Sequence, residues 1–191
     1  GTPTTHNAHP HHNKNQTIFI VHNGIIENYQ ELKDRLSNEG YKFVSETDTE
    51  IIPHLIDSYM KTTKTFFEAF QKAVSELRGA YAIGCIFSEE PSTIYAARLS
   101  SPLVIGEDAS AHIVASDPAA INHLTKKVIF LEDYDVAQIT PEKVTIKQLH
   151  DNKLVKRSAE HHDSESQITT LDAFDHYMIK EIHDIPETIR L

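Results

Sequence analysis

Apolar positions along the chain fall into two textures, helical in the first half and strand-like in the second. From Thr17 to Val21 the run TIFIV is β-branched and aromatic, too short for a helix, and predicts a buried strand that ends in His22-Asn23-Gly24. Ile25, Tyr29, Leu32 and Leu36 then recur on one face at helical spacing, Glu31 and Arg35 form an i,i+4 pair, and Gly40 stands where a C′ glycine belongs. Residues 41–45 (YKFVS) read as a short strand. Thr47-x-x-Glu50 reads as a capping box opening a helix with Ile51, Ile52, Leu55, Ile56 and Tyr59, Pro53 lying in or just past its first turn. A second box, Thr65-x-x-Glu68, opens a helix with Phe66, Phe70, Ala73 and Leu77 inward and Gly79 as its stop.

After Gly79 come short apolar runs between turn residues: AYAIGCIF, STIYAA, PLVIG, HIVAS, KVIFL, DVAQI, KVTIKQL and KLVKR, most of them strands. Asp117-Pro118 interrupts them as a cap and first-turn proline, predicting a short helix through Leu124. Asp151-Asn152 reads as a tight hairpin turn. Residues 158–170 are polar and unpatterned, a linker, and the apolar-spaced segment LDAFDHYMIKEIHDI follows, stopped by Pro186. The pattern ends a domain over 1–157 near Arg157 and leaves a linker and a last apolar-spaced segment over 158–191.

Composition narrows the function. With 28 acidic against 18 basic side chains and a formal charge of −10, the chain lacks the cationic surface that phosphate backbones require, so no nucleic acid partner is expected. No apolar run approaches the ~20 residues of a membrane span, and no membrane partner is expected. A lone Cys85 and no opening signal segment point to the cytoplasm. Thirteen histidines would carry the charge from −10 to +3 on full protonation, so solubility dips in mild acid.

Few residues are placed for chemistry. Asn23-Gly24 is a hairpin-turn signal, but the helical spacing after it predicts a strand-to-helix corner whose amide side chain and unhindered N–H can hold an oxyanion. Asp48, inside SETDTE, is either a helix cap or a carboxylate that grips a substrate ammonium. His6, His9, His11 and His12 fit no four-ligand zinc spacing; beside Pro10 and asparagines they read as a solvated loop, and no metal or cofactor is expected. Cys85 sits inside an apolar strand, where a buried thiol is inert. An oxyanion corner without a nucleophile remains.

These residues resemble a known family, the glutaminase domain of glucosamine-6-phosphate synthase. The matching blocks run in family order: NAHPH at 7–11, VHNGIIENY at 21–29, GYKFVSETDTEII at 40–52, LRGAYA at 77–82, SSPLVIG at 100–106, ASD at 115–117 and IFLEDYDVA at 129–137. Amidotransferases that make phosphoribosylamine, asparagine or glutamate share the Asn-Gly corner and the aspartate. The last block, HYMIKEIHDIPETIR, resembles the synthase's passage into its sugar-isomerase half.

The resemblance implies an α+β fold of the N-terminal-nucleophile hydrolase type, a four-layer αββα sandwich with two antiparallel sheets. It implies glutamine as a partner, with an N-terminal cysteine thiolate attacking the side-chain amide. The released ammonia then passes to fructose 6-phosphate in the isomerase half. Carried over by position, Asn23 and Gly24 are the catalytic oxyanion donors and Gly24 and Asp48 bind substrate, Asp48 taking the α-ammonium. Gly1-x-Pro3 matches the end of a loop that folds over glutamine. The cysteine, its strands and a His-Thr-Arg-Trp block are expected before Gly1, so the domain over 1–157 is incomplete and inactive alone. The resemblance further implies a homo-oligomer when intact, whereas the fragment alone is expected to aggregate or dimerise. The alternative is a non-catalytic binding or regulatory module that keeps the fold.

Overall fold

The computed structural model describes residues 2–108, 111–162 and 174–189. Gly1, residues 109–110, the expected linker from 163 to 170, the opening of the last apolar-spaced segment at 171–173, and residues 190–191 lie outside the described residues. The elements run in the order β1 (His11–His12), β2 (Ile18–Ile26), α1 (Tyr29–Asn38), α2 (Ile51–Met60), α3 (Phe66–Glu76), β3 (Gly79–Phe87), β4 (Ile94–Leu99), β5 (Val104–Glu107), β6 (His112–Ala115), α4 (Pro118–Ile121), β7 (Lys127–Phe130), β8 (Asp135–Ile139), β9 (Val144–Gln148), β10 (Leu154–Val155), β11 (Glu160–His161) and α5 (Tyr177–Thr188), after a 3-10 turn at Thr5–Asn7.

Two sheets form among the described residues, both antiparallel throughout. One has seven strands in the order β1-β2-β3-β4-β8-β9-β10, the other four in the order β11-β7-β5-β6. Strand alternation sorts their side chains into layers. On β3 the odd positions Tyr81, Ile83, Cys85 and Phe87 join Leu36, Leu55, Phe66 and Phe70 of α1–α3 in one core. On the opposite face small residues, Ala82, Ala96 and Ala137, meet Leu103, Ile105, Ile129 and Leu131 of the second sheet. Val104 and Val128 point outward onto Ile121 of α4. The order is therefore helices, sheet, sheet, helix, the sandwich expected above.

Local chemistry explains the elements. α1 is closed by Gly40, φ +92°, with Tyr41 N–H on Leu36 O and Gly40 N–H on Ser37 O, a paired closure that needs the left-handed residue. Thr65 caps α3 by accepting Glu68 N–H at 3.2 Å. Arg35 of α1 grips Glu76 of α3 at 2.6 Å, and Tyr59 of α2 also donates to Glu76, so one carboxylate ties three helices together. Asp135, fully buried, accepts from both Arg157 Nε and Nη2 at 2.9 and 3.0 Å and from Gln148 at 2.6 Å. That pairing anchors the chain where it leaves β10.

Several expectations are corrected. The helix expected from Ile25 starts at Tyr29, because β2 continues through Ile26 in a nine-residue ladder with β3 and leaves Ile25 exposed. Arg35 pairs with Glu76 and Glu39 rather than with Glu31. Residues 41–45 make no strand, and Thr47-x-x-Glu50 makes no capping box: the Glu50 carboxylate turns back to accept from Val44 and Ser45 N–H. α3 stops at Glu76, and Gly79 opens β3. α4 ends at Ile121, short of Leu124. α5 carries Pro186 inside it and runs on to Thr188. His11 and His12 form β1 rather than a solvated loop, and His11 is buried. The expected linker opens with β11, paired to β7.

Candidate active site

Two cavities meet along β2. The larger, about 790 Å3, lies between the sheets, lined on one side by Phe19, Val21, Asn23, Ala82 and Gly84 and on the other by His112–Ser116. The smaller, about 440 Å3, is lined by Asn7, Gly24, Ile25, Tyr29, Thr47 and Asp48. His9 and His22 border both. Successive residues of a strand face opposite sides, so Asn23 belongs to the larger cavity and Gly24 to the smaller. Both are exposed.

Gly24 has φ +135°, and a Cβ built on it would lie 2.0 Å from Ala80 O. Only glycine fits that close approach of β2 and β3. The structure thus replaces the expected strand-to-helix corner with a tight passage inside a strand, still with its amide side chain and glycine backbone at the surface.

Asp48 is in the loop between α1 and α2 and is half-buried. Its Oδ2 accepts Ile26 N–H at 2.7 Å. Its cap reading is not realised, since α2 begins at Ile51 and no side chain caps it. The three residues singled out from the sequence, Asn23, Gly24 and Asp48, therefore come together at one junction.

Sequence reasoning passed over the side chains that hold this loop. Thr47 Oγ1 is 3.0 Å from His11 Nε2, and Thr49 Oγ1 is 3.0 Å from His22 Nδ1. Burial pushes His11 below its ordinary range, and it pushes His22 down as well, partly opposed by the nearby Asp48 charge. Both rings are therefore neutral near pH 7. Burial alone would raise the Glu50 carboxyl. The nearby His54, the Ser45 hydroxyl at 2.6 Å and the amides of Val44 and Ser45 overcome it and bring it to about 2. His54 Nε2 stands 3.7 Å from Glu50, in ion-pair range. The period-two inward face Ile18, Ile20, His22 was the signal that could have marked His22 as buried.

Cys85 is completely buried, and burial pushes its thiol well above the ordinary range, so it is not a nucleophile in this fold. Among the described residues, no group of three or more His, Cys, Asp and Glu side chains is arranged to hold a metal ion. No helix among them is long and apolar enough to cross a membrane.

The pattern of the glutamine amidotransferase domain matches residues 3–123, covering both cavity walls around Asn23, Gly24 and Asp48. The chain belongs to the glutamine amidotransferase family. Over its whole length the chain is 44% identical to a glutamine–fructose-6-phosphate aminotransferase (isomerizing) of Clostridium tetani, covering 31% of that protein. It is 42% identical, over 99% of its length, to the enzyme of the same name from Haemophilus influenzae, covering 30% of it. The chain thus spans about a third of the length of these curated relatives. Among solved structures it is similar to the glutamine phosphoribosylpyrophosphate amidotransferase of B. subtilis complexed with ADP and GMP. The TM-score is 0.67 at 26% identity, over 78% of this chain and 33% of that one. The amidotransferase domain accordingly has the N-terminal-nucleophile hydrolase fold, in its four-layer αββα form.

Proposed function

We propose that this chain is the glutaminase part of a glutamine–fructose-6-phosphate aminotransferase, freeing ammonia from glutamine for transfer to fructose 6-phosphate elsewhere in a longer protein. The observation that carries the reading is the 2.7 Å hydrogen bond from Ile26 N–H to Asp48, which fastens the carboxylate two residues from Gly24 around a single cavity. A carboxylate there suits an α-ammonium, while the Asn23 amide and the Gly24 N–H suit an oxygen that becomes negative.

In this mechanism a cysteine thiolate supplied elsewhere in the longer protein attacks the carboxamide carbon of glutamine. The carbonyl oxygen takes up the charge beside Asn23 and Gly24, the amide nitrogen takes the proton given up by the thiol and leaves as ammonia as the C–N bond breaks, and water cleaves the resulting thioester to give glutamate and the free thiol. Cys85 cannot substitute, being buried and protonated. Asp48 orients the substrate and takes no part in bond making.

Amide-labelled glutamine and fructose 6-phosphate, supplied to the longer protein, test the reading. The label is expected in a phosphorylated amino sugar, in step with glutamate release. An unlabelled product, or glutamate release unaffected by the sugar phosphate and with no amino sugar formed, would contradict it.

A further inference from the structure

The loop that presents Asp48 makes no strand ladder and is held instead by side chains. Three consecutive residues are tethered to the first two strands: Thr47 to His11 on β1, Asp48 to Ile26 N–H on β2, and Thr49 to His22 on β2. Glu50 then closes the loop by gathering Val44 and Ser45. Of these tethers, the bond between His22 and Thr49 has a particular position. His22 directly precedes Asn23, and Thr49 directly follows Asp48. A single bond of 3.0 Å therefore links the residue next to the oxyanion donors with the residue next to the ammonium carboxylate.

We propose that His22 and Thr49 are positioning residues for the glutamine site, their mutual hydrogen bond setting the separation between Asp48 and the Asn23–Gly24 strand. The inference rests on the glutamine reading above and goes beyond it, since neither residue is asked to touch substrate. Both side chains are buried, His22 at 5% and Thr49 at 4% exposure, so water does not compete for the bond and its loss leaves both groups unsatisfied. The tether on the far side, Thr47 to His11, cannot replace it, because it reaches β1 and fixes the loop only relative to the sheet edge. With the Thr49 bond gone, the Asp48 carboxylate keeps only the bond from Ile26 N–H toward β2. The loop then gains freedom where the ammonium must be held, while the oxyanion donors on β2 stay in their ladder.

The prediction is a selective one. In the longer protein, Thr49→Val keeps shape and burial and removes the hydroxyl; KM for glutamine is expected to rise about tenfold with kcat within about twofold. Thr49→Ser, which restores the hydroxyl, is expected to return KM to near the wild-type value. His22→Leu reads the same bond from its other end, and the double variant is expected to raise KM no further than the larger single change. An unchanged KM in Thr49→Val, a fall in kcat alone, a defect that Thr49→Ser leaves in place, or fully additive single changes would each overturn the positioning role. Should Thr49→Val fail to fold, His22→Leu against wild type decides by the same split. Absence of glutamate release from the wild type would overturn the glutamine reading itself, which separates that failure from this one.

Discussion

Among the described glycines, Gly24 carries the strictest geometric demand. Its φ of +135° disfavours any side chain, and the 2.0 Å approach to Ala80 O admits none. Gly40 offers a control, with φ +92° and open space around it. Gly24→Ala is expected to destabilise the fold by about 2–4 kcal/mol, against about 1 kcal/mol for Gly40→Ala, as read by urea unfolding of both variants. Equal losses would mean that backbone strain alone, without the crowding of β3, governs the site. Asn23, Gly24 and Asp48 stood out in the sequence because amide, glycine and carboxylate carry chemistry on their faces, and the fold brings them to one junction. His11, His22 and Thr49 were not, because their roles come from partners distant along the chain. A histidine among asparagines and prolines looks solvated until β1 is laid against β2.

The strands of the second half were legible for a local reason: each is a short apolar run closed by turn residues, and β6 to β10 fall within the runs read from the sequence, while β3, β4 and β5 overlap theirs and extend past them by one or two residues. The loop over 41–50 was misread for the converse reason. YKFVS has strand composition, but its amide groups at Val44 and Ser45 are taken by the Glu50 carboxylate, which leaves nothing for a ladder and also removes Glu50 from the capping box. This makes Glu50 the acid-sensitive fastening of loop to helix α2. Its folded-state value of about 2 lies below the ordinary 4.5, so it contributes stability above about pH 4.5 that is lost as pH falls from there toward 2. Glu50→Gln is expected to be less stable than wild type at pH 7 by about 1–3 kcal/mol, and the gap to narrow through that acid window. Thermal melts of both proteins from pH 7 to 3 check it; a constant gap would show that the carboxylate's charge is not what holds the loop.

The layered architecture follows from alternation, yet the strand order does not. β4 pairs with β8 and β5 with β7 across intervening elements, and such pairings depend on which faces are buried together rather than on any neighbouring signal. Their outcome is the pair of cavities along β2. Small residues, Ala82 and Gly84, floor the inter-sheet cavity on the side where Asn23 opens into it, and the helical side carries the loop that brings Asp48 to Gly24. The central claim is that these two cavities, meeting along β2, form one glutamine site in which Asn23 and Gly24 at their junction hold the oxyanion and Asp48 the ammonium. Steady-state glutamate release by the longer protein tests it most directly. Asn23→Ala is expected to lower kcat by about 10²–10³-fold with little change in KM, and Asp48→Asn to raise KM for glutamine at least tenfold, roughly the value of a charge-assisted bond. An Asn23→Ala protein that releases glutamate at the wild-type rate, or an Asp48→Asn protein with unaltered KM, would contradict the account.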